Sequence, residues 1–423
     1  MKPINVLVFP AGEVNSMELH DALSTCVNVN LFGLSSIDRH GGYVFENYSS
    51  DVPLIDSPLF FYRFNEYIEK NKIDLIFPTQ DIIALFLVRN QNKIKAKIIS
   101  GDIRTCEICF DKKETYNLFA DCDFTPKTYS FVKKFPIFVK PRIGRGSIGA
   151  FLATKEEDLG GIIRDDYVFC EYLSGDEYTV DCLTDRFGKL IYVSPRTRGR
   201  VLAGMTAAGE TVVADNQFIG IAEKINSRMN FLGLWCFQVK KDSANNLKLL
   251  EISTRIPCGM ALTRAKNVNL PLLSVYIAMG LDVSVSPNNY QVKMDSTLIR
   301  RFNINVNYDT VYIDFDDTII VRGKINLKAI WFLYQCKNKG KRIILISKHS
   351  CSIRESLKKF NIDTNIFDEI IQIPMSELKS KFITERNAIF IDNAFVERED
   401  VALRCKIPVF DVDCFDFLMD WRM

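Results

Sequence analysis

Histidine is scarce in this chain of 423 residues, which contains only His20, His40 and His349. A metal centre built on several histidines, or a catalytic triad that needs one, is therefore not expected. An excess of one charge is also lacking, because 54 Lys and Arg against 52 Asp and Glu leave a net charge of +2. Nothing in that balance indicates nucleic acid or an acidic membrane as a partner.

Long hydrophobic runs are absent as well. The longest, such as VLVFPAG near the start and IILIS at 343–347, have the length of a strand and fall far short of a bilayer span. The amino terminus lacks the extended apolar region of a signal peptide. We therefore expect no membrane span and a cytoplasmic protein.

Cysteine is not rare, at 12 residues, but the paired spacing of a structural zinc site is missing. Only Cys106 and Cys109 form a CxxC pair, and two thiolates fall short of the four ligands that such a site needs. The spacing predicts reduced thiols that are buried or half-buried.

What is present is the strand and helix rhythm of α/β proteins. Over residues 1–98, apolar runs such as NVLVF and DLIFPT alternate with segments of helical period. The pattern changes near residue 100, where a helix at KKETYNLFADC precedes several strands, and again at the polar NINVNYD before VYIDF. Because the chain is too long for one core, we predict three domains, at 1–98, 99–304 and 305–423, without a long linker.

The stretch FVKPRIGRGSIGAFLAT is a first candidate for phosphate binding. It predicts a strand that ends in Lys140, a glycine-rich loop and a second strand. Glycines in the loop, at 144, 146 and 149, let backbone N–H groups approach a phosphate, and Lys140 and Arg142 add positive charge. The residues alone fit a basic surface turn equally well.

A second candidate lies in LWCFQVKKDSANNLKLLEISTR, which predicts two strands joined by a polar turn at 243–246. A central turn places Gln238 directly opposite Glu251, with Ser253 on the same face. Magnesium takes oxygen ligands together with substrate phosphates, so this face suits a metal–nucleotide complex. The regular alternation with apolar neighbours argues against an exposed edge hairpin.

These segments resemble an ATP-grasp enzyme of the type related to the large subunit of carbamoyl phosphate synthetase, over roughly residues 1–301. The resemblance is carried, in order, by DKKETYNLFADCDFTPKTY, FVKPRIGRGSIGA, EYLSGDEYTVD, RTRGR and LEISTRIPCG. It implies an α/β domain of the kind that precedes an ATP-grasp fold, then that fold, with ATP and Mg²⁺ as cofactors. It further implies a ligase that converts a carboxylate into an acyl phosphate and joins it to an amine.

The resemblance also implies roles for residues of this sequence. The implied ATP-binding residues are Lys112, Lys140, Gly144, Gly146, Ser147, Glu171, Leu173 and Glu177. The implied magnesium ligands are Gln238, Glu251 and Ser253, while Arg255 is expected to face the transferred phosphoryl group. The family usually has asparagine where this chain has Ser253, so the second metal ion is expected to bind weakly or through water.

Substrate contacts are predicted at two further places. Arg196, Arg198 and Arg200 are candidates for an anionic substrate, with a solvated arginine face as the alternative. Gln80 and Asp81 follow a predicted strand, where open α/β sheets bind ligands. A simple turn at the end of the strand is the alternative for these two residues.

The stretch VYIDFDDTII at 311–320 places Asp314, Asp316 and Asp317 in a run that otherwise predicts a buried strand. Clustered charge is costly to bury unless something pairs with it, and a phosphate with its magnesium ion is one such partner. Of two neighbouring carboxylates, one can attack a phosphoryl group while the other handles the proton. Further on, predicted strands end at Ser347 and Asp392, with Lys379 or Lys381 between them.

This order of motifs resembles the haloacid dehalogenase-like phosphatase superfamily over residues 308–423. The resemblance implies a Rossmann-like domain in which Asp314 is the nucleophile and Asp316 the acid and base. It places the phosphoryl oxygens on Ser347 and Lys379, with Lys381 as the alternative lysine. Magnesium is implied at Asp314, Asp316 and Asp392.

Three details of this region are left as expectations. Asn393 stands where a second acid often occurs, which leaves an amide oxygen as a metal ligand of uncertain strength. His349 either lines the entrance or is a plain surface residue. The short segments after Thr318 and after His349 leave no room for an inserted cap domain, so we expect a capless fold.

The sequence therefore predicts a bifunctional enzyme that contains an ATP-dependent carboxylate–amine ligase and a magnesium-dependent phosphatase. The phosphatase is expected to act on the ligated product or on its precursor. The expected partners are a small-molecule carboxylate and amine, one of them phosphorylated, and a homodimer is one candidate assembly. The alternative is an ATP-binding ATP-grasp module that regulates an active phosphatase.

Overall fold

The computed structural model describes residues 2–144, 146–297, 299, 301–302 and 304–422. They form two compact units. The first unit contains the described residues up to 297 together with Arg422, and the second contains the described residues between 299 and 421. Within these described residues, no helix is both long enough and apolar enough to cross a membrane.

The first unit opens with a parallel sheet. Its strands are β1 (Ile4–Phe9), β2 (Val29–Leu34), β3 (Asn47–Ser49), β4 (Leu75–Pro78) and β5 (Lys97–Ile98), and its helices are α1 (Val14–Leu23), α2 (Phe60–Asn71) and α3 (Asp81–Arg89). The strand order is β3-β2-β1-β4-β5. Helix α2 buries Phe60, Phe64 and Ile68, which its four-residue spacing places on one face. The predicted α/β rhythm of this region is thus confirmed.

The next segment forms helices α4 (Ile103–Phe110) and α5 (Lys112–Leu118), followed by strands β6 (Ile137–Pro141), β7 (Phe151–Ala153) and β8 (Tyr167–Glu171). These strands make an antiparallel sheet in the order β7-β6-β8. The glycine-rich stretch connects β6 to β7, at one end of this sheet. Its Arg145 lies outside the described residues.

A larger antiparallel sheet carries the rest of the first unit. It is formed, in the order β10-β9-β13-β14, by β9 (Glu177–Thr184), β10 (Leu190–Thr197), β13 (Gly233–Lys241) and β14 (Leu247–Ser253). A smaller sheet contains β11 (Arg200–Leu202), β12 (Met205–Glu210) and β15 (Lys293–Asp295), and the helices are α6 (Asn216–Arg228), α7 (Ala261–Ala265) and α8 (Leu270–Ala278). The core includes Trp235, whose ring stacks on Phe231 at 4.1 Å between centroids.

The second unit is built on another parallel sheet. Its strands are β16 (Thr310–Ile313), β17 (Ile320–Val321), β18 (Lys324–Ile325), β19 (Arg342–Ser347), β20 (Glu369–Gln372), β21 (Ala388–Ile391) and β22 (Val409–Phe410), and its helices are α9 (Leu327–Asn338), α10 (Ile353–Lys359), α11 (Phe395–Cys405) and α12 (Phe415–Leu418). The sheet order is β20-β19-β16-β21-β22, with β17 and β18 paired as a separate hairpin. Between β16 and α9, the described chain forms only that hairpin.

All 12 cysteines are free thiols. Eleven are buried or half-buried, as the sequence predicted, because most lie on the inner faces of strands and helices. The prediction is wrong for Cys351, which is exposed in the loop after β19.

Candidate functional sites

The side chain of Lys140 is fixed where three elements of the first unit meet. Its Nζ donates to the carbonyl of Leu250 on β14 at 3.1 Å and contacts the hydroxyl of Tyr116 on α5. The residue is 7% exposed, and burial lowers the pKa of its ammonium group. An ammonium held in this way without a carboxylate partner is suited to an anionic ligand.

The glycine-rich loop adopts a conformation that needs its small residues. Lys112 Nζ donates to the carbonyl of Gly144 at 3.2 Å, and Gly146 and Ser147 have φ angles of 60° and 59°. Gly204, in the turn between β11 and β12, packs against this loop: a Cβ on Gly204 would lie 2.3 Å from the Cα of Gly146. The turn therefore supports the loop through direct backbone contact.

The hairpin of β13 and β14 presents the predicted oxygen ligands. Gln238 is paired with Glu251 across the two strands, as the sequence predicted, and Ser253 lies at the end of β14. The Gln238 and Glu251 side chains are half-buried. Within the described residues, neither of them makes a hydrogen bond or ion pair, so their oxygens are available to a ligand.

The side chains of this face suit a magnesium ion that takes few ligands from the protein. No group of three or more His, Cys, Asp or Glu side chains among the described residues is arranged to hold a metal ion. A magnesium ion that keeps water and substrate phosphate oxygens needs only one or two carboxylates from the protein. Glu251 with the amide oxygen of Gln238 fits that set of ligands, with nucleotide oxygens completing it.

Asp81 connects the first parallel sheet to this site. It is the first residue of α3, just past the carboxyl end of β4, and its Oδ1 accepts a hydrogen bond from the Ser253 hydroxyl. Its Oδ2 lies 3.1 Å from Nε and 3.0 Å from Nη2 of Arg255. Burial, the largest single effect, lowers the pKa of Arg255, but Asp81 together with the other acidic groups around it raises that pKa overall. Asp81 thus holds both Ser253 and Arg255, which a simple strand-end turn would not do.

The residues that the sequence predicts to contact the adenine and the ribose of ATP lie around the connection from β8 to β9. Glu171, at the end of β8, accepts a hydrogen bond from the backbone N–H of Lys127 at 2.9 Å. Leu173 is buried in the connection. Glu177, at the start of β9, pairs with Arg198, whose Nε lies 2.6 Å from its Oε1.

The three candidate substrate arginines have different environments. Arg196 is completely buried, with Nε 3.1 Å from Oδ2 of Asp181. The Arg198 side chain is also buried, against Glu177, whereas Arg200 is exposed and pairs with Asp295. The solvated-face alternative is therefore wrong for Arg196 and Arg198, and Arg200 alone of the three is exposed.

A buried charged cluster lies at the carboxyl ends of three neighbouring strands in the second unit. Asp314 follows β16, Ser347 ends β19 and Asp392 follows β21. Lys379 Nζ lies 2.6 Å from Oδ1 of Asp314 and 2.6 Å from Oδ2 of Asp392. All four residues are buried. Lys381, the alternative lysine, is exposed and pairs with Glu377, so it lies apart from the cluster.

The electrostatics of this cluster fit a metal and a phosphate. Burial raises the pKa of Asp314 to about 6, Asp392 adds to that effect, and Lys379 opposes it. The two carboxylates raise the pKa of Lys379 although burial would lower it. Two carboxylates share one ammonium, which leaves an excess negative charge. The excess negative charge and the carboxylate oxygens suit a magnesium ion.

Asp316 and Asp317 lie outside the buried cluster. Strand β16 ends at Ile313, and of the three carboxylates in VYIDFDDTII only Asp314 is buried. The Asp316 side chain is 54% exposed, and its Oδ2 lies 2.7 Å from Nδ1 of His349. His349 therefore contacts a predicted catalytic residue, whereas the sequence left it as an entrance or surface residue.

Asn393, the predicted weak metal ligand, lies beside the fully buried Thr318. Its Oδ1 is 3.5 Å from Oγ1 of Thr318, and its backbone N–H donates to the same oxygen at 3.2 Å.

The sequence analysis predicted no role for Thr318, Tyr116 or Gly204, which the structure places beside the candidate site residues. Tyr116 lies one helical turn after Lys112, which was the signal available for it.

Comparison with known proteins bears on the first unit's architecture. Residues 164–301, less than half of the chain, match the family described as "ATP-grasp in the biosynthetic pathway with Ter operon". The biotin carboxylase domain of 2-oxoglutarate carboxylase from Hydrogenobacter thermophilus, solved with MgADP, ADP and bicarbonate, superposes with a TM-score of 0.55. That match has 17% identity and covers 69% of this chain and 74% of the other. This chain contains an ATP-grasp fold.

Two further solved structures share the ATP-grasp fold. An L-amino acid ligase from Bacillus licheniformis has a TM-score of 0.53 and 13% identity, covering 66% of this chain and 75% of its own. An N5-carboxyaminoimidazole synthetase from Staphylococcus aureus has a TM-score of 0.53 and 14% identity, covering 67% and 79%. At these identities the similarity shows the fold alone. No curated protein matches the chain.

Proposed function

We propose that the chain is a bifunctional enzyme, with an ATP-dependent carboxylate–amine ligase in the first unit and a magnesium-dependent phosphatase in the second. One observation carries the proposal. In each unit a buried lysine ammonium, Lys140 or Lys379, lies beside oxygen donors of the kind that hold magnesium. A buried cation next to metal ligands is the arrangement that phosphoryl transfer requires.

In the ligase, a substrate carboxylate oxygen attacks the γ-phosphorus of ATP, and the bond to ADP breaks. The amine then attacks the acyl carbon, phosphate leaves and an amide forms. Lys112, Lys140 and the loop of Gly144, Gly146 and Ser147 hold the ATP phosphates, and Arg255, oriented by Asp81, stabilises the transferring group. Gln238 and Glu251 would hold a magnesium ion, which would neutralise phosphate charge.

The nucleotide base and the substrate have their own proposed contacts. Glu171 and Leu173 meet the adenine at the connection from β8 to β9, and Glu177 holds the ribose. Of the three candidate arginines, Arg200 is the exposed one and is proposed to meet an anionic substrate. The ligase named among the structural neighbours supports this amide chemistry over a purely regulatory nucleotide site.

In the phosphatase, Oδ of Asp314 attacks phosphorus, and the bond to the leaving oxygen breaks as Asp316 protonates that oxygen. Asp316 then takes a proton from water, whose oxygen attacks phosphorus and releases phosphate from Asp314. Ser347 and Lys379 hold the phosphoryl oxygens, and Asp314 and Asp392 would hold a magnesium ion that would neutralise charge there.

The two activities are proposed to act in sequence on one molecule. The acid or the amine enters as a phosphate monoester, and the phosphatase removes that phosphate from the conjugate or from its precursor. The support for this order is the presence of both sites in one chain.

A comparison of reaction products tests the proposal. The purified chain and its Asp314→Asn variant are incubated with magnesium, ATP and a small-molecule extract of the host, and new masses are recorded. We expect the variant to accumulate a phosphorylated conjugate that the native protein delivers without its phosphate. Glu251→Gln serves as the matched control, which should form no conjugate while still hydrolysing added phosphate esters.

Other outcomes would contradict specific parts of the proposal. Identical unphosphorylated products from the native protein and Asp314→Asn would show that the phosphatase does not act on the conjugate. ATP binding without any conjugate in either reaction would contradict the ligase and favour the regulatory alternative.

A further inference from the structure

His349 lies in the loop after β19, two residues beyond Ser347, and both of its ring nitrogens are engaged. Nδ1 lies 2.7 Å from Oδ2 of Asp316, and Nε2 lies 2.7 Å from the hydroxyl oxygen of Ser356 on α10. The imidazole ring also packs edge-on against Phe315, with 5.1 Å between ring centroids. Its side chain is only 13% exposed. Three contacts therefore fix the position of this ring.

The carboxylate fixes the direction of the first hydrogen bond. An ionised Asp316 accepts only, so Nδ1 carries a proton and donates to Asp316. In the neutral imidazole Nε2 is then an acceptor, and it receives the hydroxyl proton of Ser356. The chain of contacts thus runs from α10 through His349 to the loop that follows β16.

The position of the Asp316 side chain depends on His349 more than the positions of Asp314 and Asp392 depend on Lys379. Asp314 and Asp392 are held by Lys379 inside the cluster, whereas the Asp316 side chain is 54% exposed. Among the described residues, only its Oδ2 is engaged, and the partner is His349. An exposed carboxylate without an anchor samples several rotamers, and ordering it costs conformational entropy.

Resting on the phosphatase function proposed above, we propose that His349 is a positioning residue for Asp316. It holds Oδ2 so that Oδ1 is left to exchange the proton with the leaving oxygen and then with water. Ser356 in turn holds the imidazole in the required tautomer. His349 itself touches neither the phosphate nor the leaving group in this arrangement.

The proposal predicts a dependence on the leaving group that a purely structural role would not produce. A p-nitrophenolate leaves without a proton, but an alkoxide needs one from Asp316. Replacing His349 by Leu should lower kcat/KM for an alkyl phosphate such as glycerol phosphate by about 10- to 100-fold, the size expected for a misplaced catalytic group. The same change should lower kcat/KM for p-nitrophenyl phosphate at most about threefold, because kcat/KM reports the steps up to release of the leaving group and not the later attack of water, which both substrates share.

Conservative variants sharpen the test. His349→Asn keeps a donor close to the position of Nδ1 and should recover most of the alkyl phosphate activity. Ser356→Ala removes only the outer contact and should give a smaller loss with the same preference for p-nitrophenyl phosphate. Cys351→Ser, an exposed neighbour in the same loop, should behave like the native chain. Thermal unfolding of each variant identifies one that fails to fold.

The outcomes separate this inference from the proposed function. A native chain that hydrolyses both esters, with His349→Leu losing equal activity on both or on neither, would overturn the positioning role alone. A native chain that hydrolyses neither ester would overturn the phosphatase and this inference together.

An independent readout uses the small number of histidines. In ¹⁵N-histidine spectra of the full chain, we expect the His349 imidazole, assigned by its loss in His349→Leu, to be protonated at Nδ1, and Asp316→Ala to abolish that signature. Spectra unaffected by Asp316→Ala would contradict the contact itself.

Discussion

Two lysines that lie two residues apart in the second unit have opposite environments. Lys379 is buried between two carboxylates, whereas the Lys381 side chain is 61% exposed and pairs with Glu377, four residues earlier. Exposed ion pairs of that kind contribute little to the free energy of unfolding. Removing one member of a buried group of charged residues, by contrast, leaves a buried charge without a partner.

Substitution of these lysines tests the assignment within the phosphatase. Lys379→Met should lower kcat on p-nitrophenyl phosphate by at least about 100-fold, because a phosphoryl ligand is lost and Asp314 faces Asp392 without compensation. Lys381→Met should stay within about twofold of the native rate, since only a surface pair is lost. Equal losses in the two variants would contradict the choice of Lys379.

Two of the candidate substrate arginines provide a second matched pair. Arg196 is fully buried against Asp181, and Arg200 lies exposed beside Asp295. We expect Arg196→Met to destabilise the first unit by about 3–5 kcal/mol, because it leaves the Asp181 carboxylate buried without a counterion. Arg200→Met should lower the free energy of unfolding by less than about 1 kcal/mol. Calorimetric unfolding measures both, and similar values for the two variants would contradict the buried-pair interpretation.

At the scale of elements, the turn between β11 and β12 controls the glycine-rich loop through Gly204. Gly204 has a φ of 78°, and a Cβ there would meet the backbone of Gly146 at 2.3 Å. Gly204→Ala should therefore displace the loop and raise the KM for ATP by about tenfold, equivalent to about 1.4 kcal/mol of lost binding.

Gly188 provides the control for Gly204. It also has a positive φ, 83°, but a Cβ at this position would meet nothing within 4 Å. Gly188→Ala should lose about 1 kcal/mol of stability from backbone strain and leave the KM for ATP unchanged. An equal change in KM for both variants would show that strain, not the contact with Gly146, is responsible.

The elements were predictable where residue periodicity decides them. The pairing of Gln238 with Glu251 followed from alternation about a central polar turn, and the structure has that pair, but a register shift between Gln238 and Val239 moves the pairs nearer the turn by one residue. The contacts of Lys140 with Tyr116, of Ser253 with Asp81 and of Asp316 with His349 join residues 24, 172 and 33 positions apart. Local patterns carry no information about such separations, so these contacts required the three-dimensional fold.

Across the whole chain, the two compact units have separate hydrophobic cores. One set of buried residues includes Phe60, Phe64 and Ile76, and another includes Ile313, Phe332 and Leu345. We therefore expect calorimetry of the full chain to show two unfolding transitions. The likeness to known ATP-grasp structures reaches at most 69% of the chain in the comparisons above, so the proposal of a phosphatase rests on the geometry of the second unit.

Ligands should shift these transitions selectively. MgADP at 100 times its dissociation constant should stabilise the first unit by about 2.7 kcal/mol, and orthovanadate with magnesium should shift only the other transition. Glu251→Gln should weaken the first shift and Asp314→Asn the second. One transition that moves equally with either ligand would contradict the assignment of separate sites.

The exposure of Cys351 has a practical consequence for observing this protein. Of the 12 thiols it is the exposed one, and it lies four residues beyond Ser347 in the loop that also carries His349. A maleimide fluorophore should therefore attach there first, without the removal of other cysteines. Such a dye, bound next to the phosphatase cluster, would report substrate arrival and phosphate release in real time from a nearly native chain.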